Sequence, residues 1–514
     1  MATLQRAPTA ARPAVRLHVV EKTPRAGEGS EGRGWEPWEV GVLVLLALVL
    51  LVAAIQHTPW FDEAQAWLIA RDDGILDILT TRMRHEGSPP LWHLLLVAPA
   101  KLGLPYRTMS LISGFACMVT GWLIVRRSPF PPLLRATLPF SYFLLYQYGV
   151  VARSYCLLAP FLFLAADAFP QRHTRPWRVV VPLLLTALTC TQGFIIAGCL
   201  EALRWWELRA TWKEIDASKR RQQLASACVA AVVLLAIVVE VWPNSDVTGS
   251  GSWHLGVRAL GSFLTRSLLD VFTVVAVAAI VASIPWLRRR GVASLLVVPG
   301  GALLAFFVTR YFSPWHAGAL WILWVGVLWV GWRMPVVREE PTRPPRLERL
   351  VPALVTATVA GQIVWSVSSM VLETRTPYSG SAALASYIRD HAPGQKVFAT
   401  GKWIVAVFPY FRGMPVANYN GGSVPAFYPF SAAHNPLPES MWDLWVQDVS
   451  PIVVSVKAQA PTDVSCLPGY RVDAVIPGSV VVAGAAYESE TFVVFVRDQA
   501  SPDRLGNNCV HVTP

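Results

Sequence analysis

Asp62 and Glu63 stand side by side in the stretch Trp-Phe-Asp-Glu-Ala-Gln-Ala-Trp at residues 60–67, directly after an apolar run at 40–55. Carboxylates are expensive at a membrane boundary and mark function there more often than not. Such a pair could take a proton from an acceptor hydroxyl or amine, or bind a divalent cation. It could also be a solvated pair capping an interfacial helix. Trp60, Phe61 and Trp67 are aromatics that prefer interfacial depth.

A second group follows in the same loop. His85 and Glu86 precede Gly87 and the rigid Pro89-Pro90 step, where they could orient a phosphate or sugar or merely decorate a turn. Arg153-Ser154-Tyr155 offers a guanidinium suited to bidentate phosphate recognition and a phenol that can hydrogen-bond a sugar; the plain alternative is an arginine snorkelling to water. Gln192 lies between two apolar stretches, where it could bind ligand or satisfy backbone groups. Arg310, Tyr311 and His316 form the last group. No Walker-type phosphate loop, HExxH zinc motif or Cys-x-x-Cys pair occurs in the sequence.

These residues need elements to position them. The chain is 54% hydrophobic and 15% charged, with 22 tryptophans, against roughly 25% charged in an average soluble domain. Apolar runs and basic loops predict a polytopic α-helical membrane protein with eleven transmembrane helices. The spans fall near residues 38–56, 108–125, 133–150, 154–169, 178–191, 193–206, 224–242, 259–286, 291–309, 315–332 and 350–372. The two at 178–206 come from one long run divided at Thr191-Gln192-Gly193. Most of the basic residues then fall on one side, the positive-inside signature. The net charge of +11 therefore needs no nucleic-acid partner; the expected surroundings are membrane lipids.

Residues 1–36 read as a disordered cytoplasmic tail, followed by an uncleaved anchor rather than a signal peptide. Residues 37–373 form the membrane domain, with 57–107 as one large external loop in which 91–104 makes an interfacial helix started by Pro89 and Pro90. Residues 374–514 change to a soluble composition. A helix at 382–391 and strands at 396–399, 452–456, 479–482 and 491–496 predict a small C-terminal extracytoplasmic α/β domain. Five cysteines lie in or beside apolar runs; Cys466 and Cys509 could form a disulfide or stay as two thiols. In this topology Asp62, Glu63, His85, Arg153, Gln192, Arg310 and His316 reach one membrane side, as a shared site requires. Glu240 and Asp270, in or beside apolar spans, are solitary acids and a weak sign of a transporter.

The pattern resembles the GT-C superfamily of membrane glycosyltransferases, which includes the protein O-mannosyltransferases and the aminoarabinose transferase acting on lipid A. The resemblance rests on Asp62–Glu63 after the first span, Pro89-Pro90-Leu91 in the same loop, Arg153 between early spans, and Arg310, Tyr311 and Pro314 before a late span. It runs in order from about residue 38 to 332. It implies a polyprenyl-phosphate-linked sugar donor and inverting transfer to an extracytoplasmic acceptor. By that resemblance Asp62 is the general base or orients the acceptor, and Glu63 supports it or joins a metal site for a divalent cation. Arg153 and Arg310 contact the donor phosphate. Gln192 stands where the superfamily often has Lys or His. The rival readings are a non-catalytic lipid-linked-sugar binder or flippase, and a transporter.

Overall fold

A computed structural model describes residues 34–248, 273–310, 312–337, 346–456 and 469–498. In chain order the main helices are α1 (Pro37–Gln56), α2 (Phe61–Asp72), α3 (Leu91–Lys101), α4 (Thr108–Arg127), α5 (Leu158–Ala168), α6 (Trp177–Ala187) and α7 (Thr191–Thr211). They continue with α8 (Ala217–Val241), α9 (Thr273–Arg289), α10 (Ser294–Thr309), α11 (Ala317–Arg333), α12 (Arg346–Arg375) and α13 (Ser381–His391). Among the described residues five helical stretches are long and apolar enough to cross a membrane: Pro37–Gln56, Thr108–Arg127, Ala217–Val241, Pro314–Arg333 and Arg346–Arg375. Helix α8 leaves Val232, Leu235 and Val239 exposed along its length, a face suited to lipid.

Several expected spans differ in detail. Residues 133–150 do not make one helix. Pro132–Thr137 is helical, Leu138–Phe140 is a 3-10 turn and Phe143–Val150 is a wholly buried π-helix. Pro139 and the extended Ser141 interrupt the run, since proline cannot donate to the helix ladder. The break between α6 and α7 falls at 188–190, just before Thr191, and α7 runs on to Thr211. The tail at 1–33, Asp270, Tyr311, Cys466 and Cys509 lie outside the described residues.

One end of the bundle is held by buried ion pairs. Glu39 at the start of α1 meets Arg126 at 2.6 Å and also pairs with Arg135. Asp167 at the end of α5 meets Arg127 and Arg333 at 2.5 Å each. Arginines read from sequence as loop charges thus clamp α1, α4, α5 and α11 together at this end. The opposite end carries the C-terminus of α1, the turn before α5 and the N-terminus of α11, and the candidate site lies there.

The expected external loop at 57–107 is a packed helical unit. Trp67, Ile69, Trp92 and Leu96 share one core with Leu384, Ile404, Phe408, Phe492 and Val494 from the C-terminal region. That region holds a four-stranded sheet in the order β1-β2-β6-β3, built from β1 (Phe398–Thr400), β2 (Ile452–Val456), β3 (Tyr470–Ile476) and β6 (Thr491–Arg497). The β1–β2 pair is parallel and the others antiparallel. A hairpin of β4 (Ser479–Val482) and β5 (Ala485–Ser489) places Val480 and Val481 in the core of the helical bundle. The C-terminal region therefore shares two cores with the helical parts and adds a small one of its own around Leu444, Ile452, Val493 and Phe495. A chain ending before Thr374 is expected to lose folded protein, not merely acceptor transfer, and size-exclusion chromatography of the truncated chain in detergent checks this.

Candidate active site

Helix α2 carries the acidic pair and divides it. Consecutive helical residues point about 100° apart, and here Glu63 is turned toward His57 and the Ala152 N–H, away from the side that Asp62 faces. Asp62 lines a cleft of about 800 Å³, within the size range of ligand sites. Gln65 and Ala66 line the same cleft, as their one-turn spacing requires.

Glu63 points the other way and is fully buried. Its Oε1 accepts the Ala152 backbone N–H at 2.7 Å. Its Oε2 lies 2.9 Å from His57 Nε2 and accepts the Trp60 N–H at 3.2 Å. The other ring nitrogen, His57 Nδ1, lies 2.9 Å from Glu373 Oε1. Burial alone would lower the His57 pKa, but the Glu63 and Glu373 carboxylates override it and raise it to about 10. The imidazolium so held ties the exits of α1 and α12 to the start of α2. A direct role for Glu63 toward substrate does not fit this placement.

Asp62 pairs with Arg153, Nη2 to Oδ2 at 2.9 Å. The Arg153 guanidinium lies 5.2 Å from the Tyr155 ring, 5.3 Å from Trp315 and 5.8 Å from Trp60. Those contacts fix the charge against the cleft wall. Glu86 also lines the cleft and accepts a hydrogen bond from Gln65 Nε2 at 2.9 Å. Burial pushes its carboxyl up to about 7, with Gln65 opposing and the Asp62 charge adding to the rise. Gly87 closes this turn with φ of +60°, a left-handed conformation that glycine adopts without strain.

His85, Tyr155, Gln192, Arg310 and His316 reach the same cleft. The structure thus brings together eight of the residues singled out from sequence, leaving Glu63 behind the wall and Tyr311 outside the described residues. It adds others. Lys402 lies 5.1 Å from Phe430, 5.2 Å from Trp403, and 5.7 Å from both Phe61 and Tyr428. No local motif marks it, because its aromatic surroundings come from distant segments. Gln65 was legible only as one helical turn from Asp62; both its amide ends engage the Tyr428 backbone. Glu490 accepts the Phe61 N–H at 2.9 Å, anchoring α2 to the loop between β5 and β6. Burial is the main force raising the Glu490 carboxyl to about 8.

Four cations (Arg84, Arg153, Arg310, Lys402) face two carboxylates (Asp62, Glu86) across this cleft. Val238 and Val241 of α8 and Phe306 of α10 add an apolar side. Such a chamber suits an anionic headgroup carrying an apolar tail. Glu63 is engaged by His57 and backbone N–H groups, and Asp62 by Arg153. Among the described residues no group of three or more His, Cys, Asp or Glu side chains is placed to hold a metal ion.

The fold and cleft define the class: a helical membrane-type architecture with a polar chamber at one end of the bundle. No protein-family model matches the sequence, and no curated protein matches it. Among solved structures the chain has the fold of ArnT from Cupriavidus metallidurans. The form bound to undecaprenyl phosphate superposes with a TM-score of 0.51 at 16% identity, covering 89% of this chain and 98% of that one. The apo form gives 0.49 at 15% identity, covering 88% and 98%.

Proposed function

We propose that this protein is a glycosyltransferase that moves a sugar from a polyprenyl phosphate to an extracytoplasmic acceptor, with inversion at the sugar. The observation that carries this reading is the Asp62–Arg153 pair set in a cation-rich cleft with an apolar side. The fold shared with ArnT, a lipid A aminoarabinose transferase of the GT-C class, supports it; that structure holds undecaprenyl phosphate.

In this mechanism the lipid tail leaves the cleft past Val238, Val241 and Phe306. The phosphate is met by Arg153, Arg310 and Lys402. The acceptor hydroxyl oxygen attacks the anomeric carbon and the bond from that carbon to the phosphate oxygen breaks. The electron pair leaves with polyprenyl phosphate, whose developing charge the cations stabilise. Asp62 accepts the acceptor's proton. Arg153 holds Asp62 before donor arrives; phosphate competes for the guanidinium and frees the carboxylate to act. Glu86, held in place by Gln65, orients sugar hydroxyls. Glu63, His57 and Glu373 position α2 and touch no substrate.

Arg153→Ala is expected to raise the donor concentration needed for half-maximal transfer about ten- to a hundredfold. A charge-assisted hydrogen bond contributes about 1.5–3 kcal/mol, and each 1.4 kcal/mol is about tenfold in affinity. Arg153→Lys restores part of it, since lysine lacks the planar fork. Titration of undecaprenyl phosphate onto the purified protein reads the effect. Unchanged affinity in the alanine variant makes Arg153 a structural anchor and removes the donor assignment.

A further inference from the structure

A second cavity, of about 260 Å³, lies against the cleft and is lined by Arg82, His85, Asp246, Asn420 and His434 with Phe427 and three prolines as walls. His85 lines both chambers. The partition is a strap. The segment after α8 pairs with the loop near 430 through an antiparallel bridge between Val247 and Ser431. The Thr248 N–H donates to the Phe430 carbonyl at 2.8 Å, and the Ala432 N–H to the Asp246 carbonyl at 2.6 Å. At its centre Asp246 Oδ2 accepts the Ser431 hydroxyl at 2.6 Å and lies 3.3 Å from His85 Nε2.

The two chambers differ in charge. The cleft sets four cations against two carboxylates. Among the described residues the outer pocket sets one arginine against one aspartate. That arginine is already committed: Arg82 Nε meets Asp73 Oδ2 at 2.7 Å, and its guanidinium stacks 4.1 Å from the Phe427 ring. An anionic ligand would need surplus cations or a bidentate guanidinium, and this lining supplies neither. What it does supply is mixed hydrogen bonding: an acceptor in Asp246, an Asn420 amide whose Nδ2 makes only long contacts of 3.4 Å to the Ser423 and Pro425 carbonyls, His85 with contacts of 3.3 Å to the Thr81 carbonyl oxygen and Asp246 Oδ2, and exposed His434. Closely spaced donors and acceptors on a rigid proline and aromatic wall match a neutral polyhydroxyl compound.

We infer that the outer pocket binds a neutral carbohydrate, the acceptor end of a glycan that reaches the cleft past His85. This rests on the glycosyltransferase reading and specifies its acceptor as a sugar chain without phosphate.

The test measures binding to the purified full-length protein in detergent, in two arms. One arm uses mannose-, galactose- and arabinose-terminated neutral oligosaccharides and their phosphorylated counterparts. The other uses undecaprenyl phosphate. His434→Trp fills the pocket, and Asn420→Gly deletes the amide while tolerating the positive φ of that residue, 46°. The expected result is binding of a neutral oligosaccharide no weaker than its phosphorylated counterpart. It should weaken roughly tenfold or more in both variants, with undecaprenyl phosphate binding unchanged as the check on folding. Preference for phosphorylated glycans, no binding of any neutral glycan, or neutral binding indifferent to both variants overturns the inference. Glycan binding as expected beside absent undecaprenyl phosphate binding by the wild type supports the pocket and removes the donor assignment instead.

Discussion

Asp62→Asn is expected to abolish sugar transfer while leaving the protein folded and able to bind polyprenyl phosphate. Losing a general base typically costs about a hundred- to ten-thousandfold in rate, and Asp62 is the carboxylate in the cleft that pairs with Arg153. Asparagine keeps the shape and can still hydrogen-bond, so helix α2 remains in place. Its neutral amide no longer competes with phosphate for Arg153, so donor affinity should hold or rise. The opposite pattern, with weaker donor binding and preserved turnover, would mean that Asp62 only orders Arg153. Single-turnover assays with a saturating donor separate the two.

His57→Leu is expected to destabilise the fold by about 3–5 kcal/mol, the cost of removing one partner from a buried ionic cluster. Glu63 and Glu373 would be left buried without their shared counter-charge. The pH dependence has a definite sign. The folded His57 pKa, about 10, lies above its ordinary value of 6.5. Its stabilisation is therefore full below about pH 6.5 and is lost as pH rises toward 10. The stability gap between wild type and His57→Leu should be wide near neutral pH and narrow toward pH 10. Thermal unfolding in detergent across that range reads it, and a gap that widens with pH would falsify the buried imidazolium. Because the cluster sits behind the cleft wall, any surviving folded His57→Leu protein should retain donor binding.

The readable and unreadable parts of this chain differ for physical reasons. The strands at 452–456 and 479–482 and the helix near 382–391 were legible, because β-branched runs and helical spacing are local signals. So was the convergence of Asp62, Arg153, Gln192, Arg310 and His316, since each sits where an apolar run ends on the same side. Glu63 stands beside Asp62 in the first turn of α2 but is turned to His57 and the Ala152 N–H, which fits the supporting one of its two expected roles; adjacency alone could not choose between them. The run at 133–150 has the composition of a span, but Pro139 and a π-helix break it. One of the two partners of His57 is long-range, Glu373 more than three hundred residues away, and no local pattern encodes such a contact. Lys402 is equally silent in sequence, because aromatic rings from several segments meet around it only once the chain folds. Strands β3 and β5 went unread; β3 is broken by a bulge and β5 is half-exposed.

The most direct test of the glycosyltransferase account is mass spectrometry of lipid-linked sugars and envelope glycans from cells lacking the protein, complemented with wild type or with Asp62→Asn. Without the protein one polyprenyl-phosphate sugar is expected to accumulate and one glycan to lose the corresponding residue. Wild type should reverse both changes and Asp62→Asn neither. Restoration of the glycan by Asp62→Asn, or a glycan profile unaffected by loss of the protein, would contradict it.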